Sequence, residues 1–251
     1  MIASPLLPVL PGLQAHASGA LWLPESRTAI IADLHLGYSW AQRRRGELGP
    51  LVDIRTREKL WQCNDDLRPQ RFVFLGDLVH APRSCAPERE WIEETLQMLG
   101  QSAELIAVRG NHDRHFATEF AHLNLLTVET WSHELLTAAH GDQFTFALPE
   151  NHTLVLGHLH PALAIRDASG AGQKLPVFLA NSKCILLPAF SPFARGYDVA
   201  CGLPPQMRKC FGGEGIYAYA ASGKRVVRLG LLRSAVEAMT HAEFKPPALN
   251  T

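Results

Sequence analysis

At 251 residues and 47% hydrophobic content, the chain is long enough to bury a substantial core within one α/β unit. Its 24 Lys and Arg are matched by 24 Asp and Glu, which argues against a protein that coats nucleic acid through global charge but leaves a local patch open. Five scattered cysteines (Cys63, Cys85, Cys184, Cys201 and Cys210), none in a C-x-x-C pair, read as reduced thiols rather than a disulfide framework. The first apolar stretch is broken by Pro5, Pro8, Pro11 and Gly12 and has no basic n-region. No apolar run reaches bilayer-spanning length, so the expected location is the cytoplasm.

Met1–Glu25 is expected to form an irregular arm with an initial strand around Ala20–Leu23. Thr28–Ala32 (TAIIA) is a short apolar run of the kind that forms a buried strand. A polar connection, Tyr38–Leu51, carries Arg43, Arg44 and Arg45. A helix is predicted over Asp53–Leu67, closed by Pro69, and a strand over Arg71–Leu75. The next helix, Pro87–Leu99, has Pro87, Glu88 and Glu90 in its first turn, Ile92, Leu96 and Leu99 on one face, and Gly100 as its stop. Glu104–Val108, Glu134–Ala139 and His152–Leu156 are three more buried-strand runs. The remainder is β-rich, with strands at Pro176–Ala180, Cys184–Leu187, Gly215–Ala220 and Arg225–Leu229, the last two forming a hairpin. Ser234–Thr251 is expected to be a tail, because Pro246-Pro247 disfavours regular structure. The pattern predicts a single α/β domain over 1–251, a β-sandwich flanked by helices.

The chemistry-bearing residues follow the apolar runs directly. They are Asp33 and His35 (D-L-H), Asp77 (G-D), Asn111 and His112 (G-N-H-D), His140 (H-G-D), and His158 with His160 (G-H-L-H). Open α/β sheets gather ligands at the carboxyl ends of their strands, so five such ends can converge on one crevice. The two-residue spacings aim both side chains of each pair to one side of an extended segment. Oxygen and nitrogen donors without sulfur suit Mn²⁺, Fe or Zn²⁺. Seven ligands are too many for one tetrahedral ion, whereas two ions with Asp77 between them would use all seven. Any one block alone is better explained as a turn, in which Asp or Asn satisfies its own backbone. Turns, however, require neither histidine nor this order.

The order D-x-H, G-D, G-N-H-D, H-G-D, G-H-x-H resembles the calcineurin-like metallophosphoesterase superfamily. A closer resemblance, through Gly19–Glu25, Asp33–Gly37, Arg43–Gly46 and Leu187–Phe190, is to the bacterial DNA-ligase-associated DNA damage response endonucleases (PdeM-like). The resemblance implies a four-layer α/β/β/α fold. It also implies that Asp33, His35 and His160 hold one ion, Asn111, His140 and His158 the other, and Asp77 both. It casts His112 as a proton donor near the phosphate.

Two ions about 3.5–4 Å apart clamp a phosphate and lower the pKa of a bridging water, so that hydroxide attacks in line. Manganese is the most fitting metal, with iron or zinc as alternatives. The expected function is therefore phosphodiester hydrolysis; the resemblance further implies DNA as substrate and a DNA ligase and helicase of the same repair pathway as partners. His80, Arg43, Arg44, Arg45 and Arg195 are candidate substrate contacts, since arginine matches phosphate geometry. The rival readings are a hydrolase of small phosphate esters, of nucleotide or lipid-precursor type, and a non-catalytic scaffold.

Overall fold

In the computed structural model, residues 3–47, 52–123, 125–144, 149–166, 172–194 and 196–241 are described. Strands form where β-branched and aromatic side chains cluster, and they assemble into two sheets. The first has seven strands in the order Leu6–Leu10, Leu13–His16, Leu21–Leu23, Thr28–Ala32, Arg71–Leu75, Glu104–Val108 and Leu126–Val128. The second has ten, with Gly172–Ala180, Cys184–Leu186, Thr153–Leu156 and Leu136–Ala139 adjacent at its centre. Tyr217–Ala221 and Val226–Leu231 form the expected hairpin beside them.

Period-two alternation along these strands sorts side chains into three cores. Ile30, Val73 and Ile106 of the first sheet face Val155, Phe178 and Ile185 of the second. Their neighbours Ala29, Ile31, Phe72 and Phe74 turn the other way, onto Leu60 and Cys63 of the helix Asp53–Leu67 and Ile92, Leu96 and Leu99 of the helix Ala86–Gly100. On the far side, Leu154, Leu156, Val177 and Leu179 meet Met207 of Pro205–Cys210 and Val236 of Leu232–His241. Three apolar interfaces separate four layers, so the architecture is the α/β/β/α sandwich.

Several boundaries differ from the sequence reading, each for a physical reason. The N-terminal arm is not irregular. Leu6–Leu10 and Leu13–His16 pair antiparallel and extend the first sheet, with Gly12 at φ 73° in the turn. Pro8 is tolerated because Leu6–Leu10 is an edge strand. The supposed polar connection contains a helix, Tyr38–Arg44, whose second residue, Ser39, donates its backbone N–H to the Asp53 carboxylate at 2.9 Å. Its cap thus comes from a residue 14 positions away. Gly100 is the last helical residue rather than the stop. The segment 234–241 continues the helix that starts at Leu232, and Pro246-Pro247 lie outside the described residues. No helix among the described residues is long and apolar enough to cross a membrane.

The topology positions the site. Thr28–Ala32, Arg71–Leu75 and Glu104–Val108 run parallel in register, and so do Leu136–Ala139, Thr153–Leu156 and Cys184–Leu186. The two triplets meet at their carboxyl ends. There Ala32 bridges to Ala189, and the Phe190 amide donates to the Ala32 carbonyl at 2.8 Å.

Candidate metal centre

The backbone is bent sharply beyond three of the five ligand-bearing strand ends. Asp33, His35, Asp77, His158 and His160 all have positive φ, between 45° and 66°. L-residues rarely adopt this conformation, and it persists only where surrounding structure enforces it. Here the enforcement is hydrogen bonding: Asp33 N donates to Gly76 O at 3.3 Å, His35 N to Asp77 O at 2.8 Å, and His158 N to the Asp33 carboxylate at 2.9 Å. Convergence within Asp33-Leu34-His35 and His158-Leu159-His160 is therefore not that of an extended strand. The chain instead turns left-handed at both residues of each pair. Glycines make room for this. A Cβ on Gly76 would lie 2.0 Å from His140 Nδ1, and one on Gly110 would lie 2.2 Å from Asp77 N.

Two sets of donor atoms made only of predicted ligands result, beside a third formed by His35, His80 and His112. Asp33, His35 and His160 bring one atom each to within 4.8 Å of one another, and so do Asp77, His140 and His158. In the second set the His140 ring is oriented by the Leu75 carbonyl, which accepts from Nδ1 at 3.2 Å. That leaves the lone pair of Nε2 facing Asn111 Oδ1 at 3.2 Å, His158 Nδ1 at 3.2 Å and Asp77 Oδ1 at 3.5 Å. Lone pairs gathered this closely repel unless a cation sits among them. In the first set, Asp33 Oδ1 and His35 Nδ1 are buried without a hydrogen-bond partner, and His160 Nε2 lies 3.2 Å from Asp33 Oδ1. Both donor sets fit divalent metals of mixed oxygen and nitrogen preference.

The electrostatics carry the same message. Burial opposes a charged Asp77. The hydrogen bond and charge of His140, the His112 amide and the nearby His35 outweigh that and hold its carboxyl well below the usual carboxylate range. Burial likewise opposes a protonated His140, yet Asp77 and Asp33 lift its pKa to about 9. Burial pushes His35 down to about 4, against the pull of Asp33 and Asp77. Without a metal, then, the carboxylates recruit a proton onto His140 in place of a cation.

Around this centre, His112 Nδ1–H donates to the His80 carbonyl at 2.6 Å. That bond fixes the tautomer and turns Nε2 toward Asp77, 3.9 Å from Oδ2. The His80 ring lies 5.3 Å from that of His35 and 5.6 Å from that of His112, and burial, His112 and Arg45 lower its pKa to about 4. The three arginines diverge. Arg44 is ion-paired with the buried Glu88, Arg43 lies over the Trp40 ring, and Arg45 is exposed with its charge reaching His80. Arg195 lies outside the described residues. Asp113, the last residue of G-N-H-D, was not singled out in the sequence. Its carboxylate accepts from Gly110 N at 3.0 Å and Val79 N at 3.1 Å, tying two ligand-bearing loops together. The motif's terminal Asp was its only signal.

Comparison with known proteins agrees with this geometry. A solved structure described as nuclease MPE of Pseudomonas putida is 24% identical, with a TM-score of 0.64 over 86% of this chain and 94% of that one, and so shares the fold. No curated protein matches. The family model for calcineurin-like phosphoesterases matches residues 26–177, a span that takes in every candidate ligand from Asp33 to His160. On that match, across more than half of its length, the chain belongs to the calcineurin-like phosphoesterase family.

Proposed function

We propose that this protein is a dinuclear metal-dependent phosphodiesterase that cuts DNA, acting in the cytoplasm as a ligase-associated repair nuclease. In this reading Asp33, His35 and His160 hold one ion, Asn111, His140 and His158 the other, and Asp77 both. Bound there, the ions would supply charge to neutralise the phosphate and would lower the pKa of a coordinated water toward neutrality. The chain's own groups do the rest. Asp77 stays ionised, the Leu75 carbonyl keeps His140 Nε2 turned inward, and His112, its Nδ1–H held by the His80 carbonyl, would protonate the departing oxygen from Nε2. Such proton donation typically contributes roughly 10²–10⁴-fold.

The observation that carries the reading is the packing of Asn111, His158 and Asp77 donors within 3.5 Å of His140 Nε2. A non-catalytic scaffold has no need of that arrangement. A polymeric substrate is favoured over a small ester because each ion site adjoins its own cleft. One of about 450 Å³ begins at Asn111 and His140, and one of about 750 Å³ begins at His160. A small-ester hydrolase needs only one. Sequence resemblance supports the repair setting and the ligase and helicase partners.

The test is direct. Manganese-loaded protein is incubated with supercoiled plasmid, single-stranded DNA, RNA and bis-p-nitrophenyl phosphate. Nicking of the plasmid together with cleavage of the small diester is expected. Turnover of the small diester with all three polymers intact would favour the small-ester reading instead.

A further inference from the structure

The 750 Å³ cleft beside His160 contains a group that hydrolysis at the metal centre does not use. Lys59, on the helix Asp53–Leu67, lines this cleft, and its ammonium lies 4.4 Å from the centre of the Phe190 ring. One of its three N–H groups donates to the Phe190 carbonyl at 2.7 Å. Among the described residues, no carboxylate lies within ion-pairing distance of it. Burial of the ammonium pushes its pKa down to about 8. A half-buried ammonium held by a carbonyl and a ring but by no carboxylate is poorly explained by stability alone.

The same cleft is lined by an aromatic ring. Ser191 N donates to the Asp33 carbonyl at 3.2 Å, which locks the Phe190–Ser191 segment to the ion site. Two residues on, Phe193 lines the cleft and stacks on Tyr38, with ring centres 6.0 Å apart and planes inclined by 20°. Tyr38 in turn meets the edge of His80, itself beside His35. Both Phe193 and Tyr38 are half-buried. Phe193, half-exposed in the cleft and backed by Tyr38, shares the cavity with a cation that has no carboxylate partner among the described residues, a combination that matches a flat aromatic group carrying an anion. Its volume is that of a small-ligand site.

We propose that this cleft is a nucleoside subsite. It receives the nucleoside on one side of the scissile diester, with the base against Phe193 and a flanking phosphate or sugar oxygen accepting from Lys59. This rests on the phosphodiesterase reading above and adds which part of the substrate is recognised, and by what.

The experiment compares two esters that share a leaving group, thymidine 5′-(p-nitrophenyl phosphate) and methyl p-nitrophenyl phosphate, on the manganese-loaded protein. The ratio of their kcat/KM values isolates the nucleoside. The wild type is expected to favour the thymidine ester, Phe193→Ala to lower the ratio about tenfold, and Phe193→Trp to retain it, because base stacking tolerates any aromatic face. Lys59→Met should lower the ratio and Lys59→Arg should restore part of it. Should Lys59→Met fail to fold, the rim residue Phe193 still decides the matter. A wild-type ratio near one, or a ratio unmoved by Phe193→Ala, would overturn the subsite while leaving the phosphodiesterase reading intact. If neither ester is hydrolysed, that reading fails by itself. Calorimetric titration with thymidine 5′-monophosphate then judges the subsite without turnover: weaker binding to Phe193→Ala supports it and equal binding refutes it.

Discussion

Single atoms decide the chemistry of this centre, and glycine shows it most clearly. Gly76 faces His140 so closely that a methyl group would occupy the space of the ring. Gly76→Ala is therefore expected to displace His140, to reduce metal binding from two equivalents toward one, and to abolish most hydrolysis, all readable by elemental analysis alongside an activity assay. His112 and Asp77 separate two roles. Asp77→Ala should lose metal occupancy, because in the proposed reading its carboxylate serves both ions. His112→Ala should keep two metals and lose roughly 10²–10⁴-fold in turnover on an unactivated diester. Near wild-type turnover in His112→Ala would remove the proton-donor role. The candidate ligands stand out in the sequence because histidine and asparagine after strand-like runs have few other uses in that order. Their left-handed backbone was not, since it follows from hydrogen bonds such as His158 N to Asp33 across 125 positions.

At the scale of elements, the central strands and the helix Asp53–Leu67 match the sequence reading, because apolar runs and caps are local signals. The helix Tyr38–Arg44 has no such signal. Its cap is Asp53, and its far end is tied by Arg44 to Glu88, so its stability is tertiary. Asp53→Ala is expected to cost about 1 kcal/mol of global stability. It should also loosen Arg45 and Tyr38 near the metal centre, seen as faster amide exchange confined to this helix. Unchanged exchange there would show that packing of Ala41 and Ser39 suffices. The N-terminal strands carry Pro8, which a central strand would not accept; that Leu6–Leu10 lies at an edge, where it is tolerated, follows only from the order of strands in the sheet.

For the whole molecule, metal binding and folding are linked, since the donor atoms come from both sheets. A cation bound among them stabilises the native state over the unfolded chain, by roughly 2.7 kcal/mol when free metal exceeds its dissociation constant a hundredfold. Chelation should lower Tm accordingly. The pH dependence has a definite sign. In metal-free protein His140 titrates near 9, above its ordinary 6.5. It therefore contributes stability that is fully present below pH 6.5 and lost as pH rises through 9. A metal must displace that proton, so its affinity should rise by up to roughly tenfold per pH unit across the same window. Melting curves with and without manganese at pH 6.5, 7.5 and 8.5 should diverge steadily. A constant gap would mean that His140 is not a ligand.

The sequence alone determined which donor atoms are present, that they follow buried strands, and that sulfur takes no part, because residue identity and local hydrophobic pattern are one-dimensional properties. Only the tertiary structure decided which donors share an ion site, that Arg44 is committed to Glu88, and that Lys59 reaches a cleft beside His160. Each of these depends on distance between segments far apart in the chain. Sheet pairing and layer packing set such distances, and no local pattern encodes them.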